Sequence, residues 1–281
     1  MEKGNNMPSA QTEFAESQES ALRMNEKMPA LFMGHGSPMN AIEDNEYSRT
    51  WIEVGKSLPR PQAIVCVSAH WETSGSKVTA MERPRTIHDF GGFPPQLYAQ
   101  QYPAPGSPSL ARLLQEVARP VRVDPDSSWG LDHGTWSVLI RLFPEADIPV
   151  VQLSLDRTQP PSSHYALGQA LKPLRRRGIL IVGSGNVVHN LWTACMGEED
   201  GAYGWAQEFD ETMKRLILAG DHQAIVDYEH LGESARLSIS TNEHFLPLLY
   251  VLGLQEPGEE PSFFADRLAY CSLSMRSLRI G

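Results

Sequence analysis

Histidines follow three of the strongest apolar segments of this sequence. His35 lies two residues beyond the apolar run at 29–33, His70 directly follows the run at 63–69, and His189 comes shortly after the run at 178–183. Imidazole is the commonest metal ligand among side chains and suits zinc, iron and nickel. Three histidines in equivalent positions therefore predict a metal site, provided that the three segments are neighbours in space.

The glycine-rich string at 183–186 (GSGN) does not predict a nucleotide site. It lacks the Lys and Ser/Thr with which a phosphate-binding loop ends, and it is not a GxGxxG fingerprint. Ser37 and Ser184 do not lie in the GxSxG turn that exposes a nucleophilic serine. The sequence therefore favours metal chemistry over nucleotide binding or serine hydrolysis.

The elements that carry the histidines are predicted to alternate between strand and helix. The runs at 29–33, 63–69, 149–154 and 178–183 are continuously apolar, which is typical of parallel strands covered on both faces. A last strand is predicted at 268–275. Helices are predicted at 47–58, 109–118, 134–142, 162–177 (with a serine N-cap, and kinked or shortened by Pro173), 202–219, 221–228 and 242–252, the last with Glu243 and His244 in its first turn.

This alternation predicts a single three-layer α/β domain with a mainly parallel central sheet flanked by helices. Ligands of open α/β sheets bind beyond the carboxyl ends of the strands. His35, His70 and His189 are all predicted at such ends, so we expect them to converge on one crevice.

Composition limits the partners of the chain. The 281 residues carry a formal net charge of -10, and the pI is about 5.4. An acidic chain repels nucleic-acid backbones and anionic membranes, so we expect neither as a partner. Residues 1–27 are polar and are predicted to be a flexible tail, which leaves 28–281 as the catalytic domain.

The three cysteines are Cys66, Cys195 and Cys271, and no CxxC pair occurs. An odd number without such a pair predicts neither a disulfide framework nor a zinc ribbon. Together with the lack of a signal-like or membrane-spanning segment, it favours a cytoplasmic protein. The oligomeric state is not predicted.

Seven motifs, in order along the chain, resemble those of the DODA-type extradiol aromatic ring-opening dioxygenases, with the bacterial 4,5-DOPA dioxygenase branch nearest. They lie at 34–39 (GHGSPM), 67–71 (VSAHW), 87–94 (IHDFGGFP), 102–108 (YPAPGSP), 131–136 (LDHGTW), 183–190 (GSGNVVHN) and 243–249 (EHFLPLL). The resemblance covers nearly the whole chain apart from the tail. It implies a class III extradiol fold and the opening of a catechol ring, such as the 4,5-cleavage of L-DOPA, with O2.

The resemblance also implies a metal and a set of site residues. Non-haem Fe(II) is implied for activity, and Zn(II) is a second metal that some bacterial members bind. His35 and His70 are implied as ligands, and His189 as a further ligand or the general base. The last ligand is implied at His244, with Glu243 as the alternative, and His133 is implied as a histidine that acts on substrate or oxygen.

Two other functions fit the same residues: a zinc-dependent hydrolase, and a non-catalytic protein that binds metal or small molecules. The loop at 88–93 (HDFGGF) is either a substrate contact or a packed loop. Trp71 and Trp136 are either cavity walls or core residues. His164, His222 and His230 lie in polar helical contexts, so we expect them on the surface.

Overall fold

The computed structural model describes residues 27–195 and 201–281, so the predicted tail lies, apart from Lys27, outside the described residues. The described chain forms an eight-stranded sheet with the order β4-β3-β5-β2-β6-β1-β10-β7 and a small hairpin of β8 and β9. The strands are β1 (Ala30–Gly34), β2 (Ala63–Thr73), β3 (Ser76–Thr79), β4 (Val123–Asp126), β5 (Val150–Asp156), β6 (Ile179–Gly185), β7 (Pro261–Phe264), β8 (Leu268–Ala269), β9 (Leu273–Ser274) and β10 (Ser277–Ile280).

The four apolar runs of the sequence are the four central strands of the sheet. β5, β2, β6 and β1 pair in parallel, which confirms the predicted mainly parallel sheet. Antiparallel pairs occur towards the edges, where β10 joins β1, β7 joins β10, and β3 joins β5.

Helices cover both faces of this sheet and create two apolar cores. Their bounds are α1 (Glu46–Ser57), α2 (Pro95–Tyr98), α3 (Pro108–Val117), α4 (His133–Leu142), α5 (Pro161–Ala170), α6 (Lys172–Arg175), α7 (Gly204–Ala219), α8 (His222–Val226), α9 (Glu233–Ser238) and α10 (Leu246–Gly253). Alternate strand residues point to opposite faces: Leu31 joins the core that contains Trp51 and Trp136, and Phe32 joins the core that contains α10. Burying a large apolar side chain completely stabilises the fold by about 1.5–3 kcal/mol. None of the helices within the described ranges is both long and apolar enough to cross a membrane.

The prediction of a last strand at 268–275 is wrong. Those residues form the β8–β9 hairpin, and the last strand of the sheet is β10, which lies between β1 and β7. Tyr270 and Cys271 have φ angles of 49° and 65°. This left-handed backbone cannot continue a strand, so the apolar pattern misplaced the element.

Two helix predictions also need correction. The helix predicted at 162–177 is interrupted next to Pro173, in line with the expected kink or shortening, and so forms α5 and α6; its predicted serine N-cap is wrong, because the N-cap is Pro160 and no side chain caps the helix. The helix predicted from residue 242 begins at Leu246. Glu243 and His244 therefore lie in the turn that precedes α10, where the backbone is not restricted to helical spacing.

A disulfide joins Cys195 to Cys271, and Cys66 is a buried free thiol. The odd number of cysteines predicted no disulfide framework, and that prediction is wrong for this pair. The two residues are 76 positions apart in the sequence, and the fold brings them together through a backbone bond of 3.0 Å from Cys195 N to Tyr270 O. Cysteine counting along the sequence carries no information on such a contact.

The cysteine pairing can be measured by thiol titration of denatured protein. Protein purified without reductant should show one free thiol, from Cys66, and three after reduction. Cys271→Ser should lower the free energy of unfolding of the oxidised protein by about 2–4 kcal/mol, because the bond limits the freedom of the unfolded chain. Three thiols before reduction would contradict the pairing.

Candidate metal centre

The central strands deliver histidines to the carboxyl edge of the sheet. β1 and β6 pair in parallel as far as Gly34 and Gly185, and His35 follows immediately. His189 lies beyond β6 and forms isolated bridges to the chain near α9 and β9. Both histidines therefore lie beyond the end of a strand, as the sequence predicted.

His70 lies at an irregularity of β2. Regular pairing of β2 with β6 ends at Ser68, and the register of β2 against β5 shifts between Val67 and Glu72. The strand itself continues to Thr73, beyond the end expected from the sequence. A bulge of this kind redirects a side chain, and here it is associated with the placement of His70 beside His35.

His133 is the first residue of α4, and the residue before it fixes that helix. The Asp132 carboxylate caps the helix by accepting from Thr135 N at 3.0 Å. It also accepts from Ser68 Oγ at 2.7 Å and from the Gln152 side-chain amide. Because these partners lie on β2 and β5, the network fastens the start of α4 to the sheet.

His244 enters the site from the turn before α10. Its carbonyl accepts from Asn186 N at 2.8 Å. A Cβ at Gly185 would lie 2.0 Å from that carbonyl oxygen, so only glycine allows the turn to approach β6 this closely.

His35, His70 and His244 form a triangle of imidazoles. Their ring centroids are 5.1 Å (His35–His70), 5.2 Å (His35–His244) and 5.0 Å (His70–His244) apart. Imidazole nitrogens bind zinc at about 2.0–2.1 Å, which places ring centroids of tetrahedrally arranged ligands about 5.2 Å apart. All three separations match that spacing.

The nitrogens of this triangle suit a cation. His35 Nδ1 lies 3.0 Å from Ser184 Oγ, whose hydroxyl donates to Gly134 O at 2.5 Å. Ser184 therefore accepts from Nδ1–H and leaves the lone pair on His35 Nε2. That atom lies 3.2 Å from His70 Nε2, close to the separation of two nitrogens bound to one metal ion.

Glu243 supports His244 in the same way. Its Oε1 accepts from His244 Nδ1 at 3.0 Å and from Thr241 Oγ1 at 2.8 Å. A carboxylate that holds Nδ1–H of a histidine fixes the tautomer with a free Nε2, as is common around metal sites. By the spacing of possible ligand atoms alone, the side chains fall into two groups, each within 4.8 Å: His35 with His70 and His133, and His189 with Glu243 and His244.

His189 and His133 flank the triangle. The His189 ring stacks on His244 at 3.5 Å with an angle of 6° between planes, and the His133 ring lies 3.8 Å from His70. Two rings as close and parallel as those of His189 and His244 cannot both direct a nitrogen at one ion with ordinary ligand angles, whereas the 42° tilt between His133 and His70 does not impose that limit. His133 also faces Asp89, whose Oδ2 lies 3.0 Å from Nδ1.

The cluster favours neutral imidazoles. Burial lowers the pKa of His70 to about 3, with nearby His133 lowering it further and Asp89 opposing the shift. Burial lowers the pKa of His189 to about 4. Burial and the neighbouring histidines also hold the pKa values of His35 and His244 well below 6.5. Neutral imidazoles are the form that binds metal, so the donor set fits a divalent cation.

A cavity of about 290 Å³ opens beside the cluster. All five histidines line it, and its remaining wall is largely apolar, with Phe90, Phe93, Leu191, Tyr270 and Leu273 among the residues. No lysine or arginine is among the described residues that line this cavity. Two larger hollows lie elsewhere and contain none of these five histidines, so volume alone does not locate the site.

The structure shows which of the remaining aromatic residues line the cavity and which of the remaining histidines are exposed. Phe90 and Phe93 of the 88–93 loop line the cavity, whereas Trp71 and Trp136 are buried outside its lining. His230 is exposed as expected. The expectation of a solvated surface position is wrong for His164, which is 2% exposed and contacts Tyr250 Oη at 3.1 Å, and His222 is only partly exposed.

Three supporting residues were not singled out from the sequence. Ser184, Asp89 and Asp132 orient or anchor the histidines, and each acts on an element distant in the chain. A signal existed for Asp132, because aspartate directly before a helix is a favoured N-cap. No local pattern marks the other two.

Comparison with known proteins agrees with this centre. The family described as "Catalytic LigB subunit of aromatic ring-opening dioxygenase" matches residues 29–273. The chain belongs to this family. It is therefore a metal-dependent oxidoreductase of the extradiol ring-cleaving class, for which a catechol and O2 are the implied substrates.

Individual relatives extend the match over most of the chain. A "4,5-DOPA dioxygenase extradiol" of Escherichia coli K12 is 52% identical over 91% of this chain and 95% of its own length. One of the same name from Beta vulgaris is 40% identical over 79% and 85%. The crystal structure of an uncharacterized Escherichia coli K12 protein has a TM-score of 0.80 and 46% identity, covering 91% of this chain and all of its own.

Metal binding should depend on the triangle of imidazoles. His70→Ala removes one nitrogen and should reduce the affinity for Zn(II) or Fe(II) by more than about 10-fold, measured by competition with a chromophoric chelator. His230→Ala is the matched control because His230 is exposed. Equal affinity in the two variants would contradict the site.

Acid should destabilise the metal-free protein through His189. Its pKa is about 4 when folded and 6.5 when unfolded, so the unfolded state binds more protons as the pH falls below about 6.5. Between pH 7 and pH 5, wild type should lose about 2 kcal/mol of unfolding free energy relative to His189→Asn. Urea denaturation at the two pH values measures this difference. A difference of the opposite sign would contradict the burial of a neutral His189.

Proposed function

We propose that this protein is a non-haem Fe(II)-dependent extradiol dioxygenase that opens the ring of L-DOPA or a related catechol by 4,5-cleavage. The observation that carries the proposal is the triangle of imidazoles at the base of an aromatic-walled cavity. The relatives from Escherichia coli and Beta vulgaris are named for this reaction. A cytoplasmic setting stays a prediction.

We assign the metal to His35, His70 and His244. Two observations support this assignment. The separations of the three rings match those of imidazoles bound to one ion. Hydrogen bonds from Nδ1–H of His35 and of His244 leave Nε2 of each ring free to bind the metal. Glu243 Oε1 already accepts hydrogen bonds from His244 Nδ1 and Thr241 Oγ1. Because that oxygen is occupied, His244 is the better candidate for the ligand. When bound, iron(II) supplies the redox chemistry that O2 requires and lowers the pKa of the catechol hydroxyls. Zn(II) fits the same donors but has no redox chemistry, so we assign activity to iron.

We assign proton transfer to His189 and His133. Both rings line the cavity. The stacking of His189 on His244 favours a role beside the metal, and the contact of His133 with Asp89 favours a role in proton transfer. Burial keeps His189 neutral near pH 7, so it can take the proton of a catechol hydroxyl. His133, with a carboxylate on its Nδ1 side, can hold a proton and return it during ring opening.

The cavity walls would orient the ring and exclude water. Phe90 and Phe93 present aromatic edges and faces, and their rings meet edge to face at 5.3 Å. A flat aromatic substrate packs favourably against such walls. Exclusion of water strengthens the electrostatic interactions between the histidines and the substrate oxygens.

The proposal is tested by oxygen uptake after anaerobic loading with Fe(II). L-DOPA and simpler catechols should each be compared, and a ring-opened product should appear with a stoichiometry of one per O2. Zn(II)-loaded protein should be inactive, and His230→Ala should retain wild-type rates. No oxygen uptake with any catechol would contradict the proposal, and oxygen-independent ester or amide hydrolysis by the zinc form would favour a hydrolase.

A further inference from the structure

The loop at 87–93 is anchored against the start of α4. Ile87 N donates to Leu131 O at 2.7 Å, and Trp136 Nε1 donates to Ile87 O at 2.8 Å. His88 Nε2 lies 2.9 Å from Gln100 O. These contacts fix the loop on the helix that begins with His133, so a side chain of the loop can act on that histidine.

Asp89 spans two atoms of His133. Its Oδ1 accepts from His133 N at 2.8 Å, and its Oδ2 lies 3.0 Å from His133 Nδ1 and 3.7 Å from His70 Nδ1. The contact is not aligned as a hydrogen bond, and His133 Nδ1 has no hydrogen-bond partner among the described residues; poor alignment of this kind is common for catalytic hydrogen bonds before substrate binds. The carboxylate is four-fifths buried, so water competes little for it.

The His133 ring is confined on its two sides as well. The ring of His70 lies 3.8 Å away, and Phe90 meets it edge to face at 5.5 Å. Packing therefore limits where the ring can go, while only a polar partner can decide which nitrogen carries the proton. Asp89 is the carboxylate in contact with that ring.

The neighbouring carboxylate cannot take this role. Asp132 precedes His133 directly in the sequence, but its oxygens accept from Ser68 Oγ, Thr135 N and the Gln152 amide. It is fully buried within that network. Asp132 thus caps α4, and Asp89 is the carboxylate that contacts the imidazole of His133.

We propose that Asp89 is a positioning residue that holds the proton of His133 on Nδ1 and leaves Nε2 as the proton acceptor on the cavity side of the ring. This inference rests on the proposed function, since it assigns His133 to proton transfer during ring opening. Asp89 touches neither substrate nor metal in this role. Because Phe90 is the next residue and lines the cavity, the same short segment places both the substrate wall and the proton-transfer group.

The first test reads the tautomer without turnover. In Zn(II)-loaded protein labelled with ¹⁵N-histidine, the ring of His133 should be the Nδ1–H tautomer, with its signals assigned through His133→Ala. Asp89→Asn offers an NH2 group in place of one oxygen, so a population of Nε2–H should appear. An unchanged tautomer in Asp89→Asn would overturn the proposal, whether or not the protein opens catechols.

The second test is a double-mutant comparison in the Fe(II)-loaded enzyme. Asp89→Asn should lower kcat by about 10- to 100-fold with little change in KM and in bound metal, as expected for the loss of a supporting carboxylate. Asp89→Glu should restore part of kcat. In the His133→Ala background, Asp89→Asn should have no further effect, because its action passes through His133.

Multiplying effects of the two substitutions would overturn the proposal, since they would show that Asp89 acts independently of His133. The exposed Asp44→Asn is the matched control and should leave kcat unchanged. Thermal melting of each variant shows whether the loop and α4 remain folded. If wild type fails to turn over any catechol, the proposed function fails, whereas the tautomer measurement still decides the role of Asp89.

Discussion

The close approach of buried imidazole nitrogens is the interaction on which the rest of this structure depends. His35 Nε2 and His70 Nε2 lie 3.2 Å apart, and the opposite nitrogen of His35 is held by Ser184. Two lone pairs at that distance repel each other unless a proton or a cation lies between them. When His70 carries its single proton on Nδ1, both Nε2 atoms direct lone pairs into the space between them, and burial disfavours a second proton on either ring by lowering both pKa values. A metal ion is then the partner that relieves this repulsion.

The rest of the fold can be understood as the support of that cluster. Parallel strands β1, β2 and β6 end at one edge, Gly185 lets the turn with His244 approach β6, and the Asp132 network fastens α4 to the sheet. Each of these features restricts the position of a histidine in the cluster. Such positioning would let the cluster bind an ion without large rearrangement.

Sequence patterns predicted the central sheet because its strands are buried on both faces and therefore continuously apolar. They misplaced the last strand because the left-handed backbone at Tyr270 and Cys271 leaves no mark in hydrophobicity. They placed His244 inside a helix although it lies in the turn before it, since the apolar face of α10 begins only at Leu246. The histidines themselves could be found, as their strand-end positions follow from the order of elements.

Hydrophobic patterns in the sequence could not predict contacts between residues that are far apart in the chain. Ser184 lies 149 residues from His35, Asp89 lies 44 residues from His133, and the disulfide partners are 76 apart. Which polar residue meets which histidine is decided by the packing of α4 and the loops on the sheet, and spacing along the chain does not encode it. The family motifs added an expected set of ligands, which periodicity alone left open.

The position of the bound ion tests the central claim most directly. Anomalous diffraction from crystals soaked with Zn(II) or, anaerobically, Fe(II) would locate it. The account predicts one ion within about 2.2 Å of Nε2 of His35, His70 and His244, with Glu243 hydrogen-bonded to His244 and not bound to the metal. An ion held by His189 and Glu243, or none near His35 and His70, would contradict it.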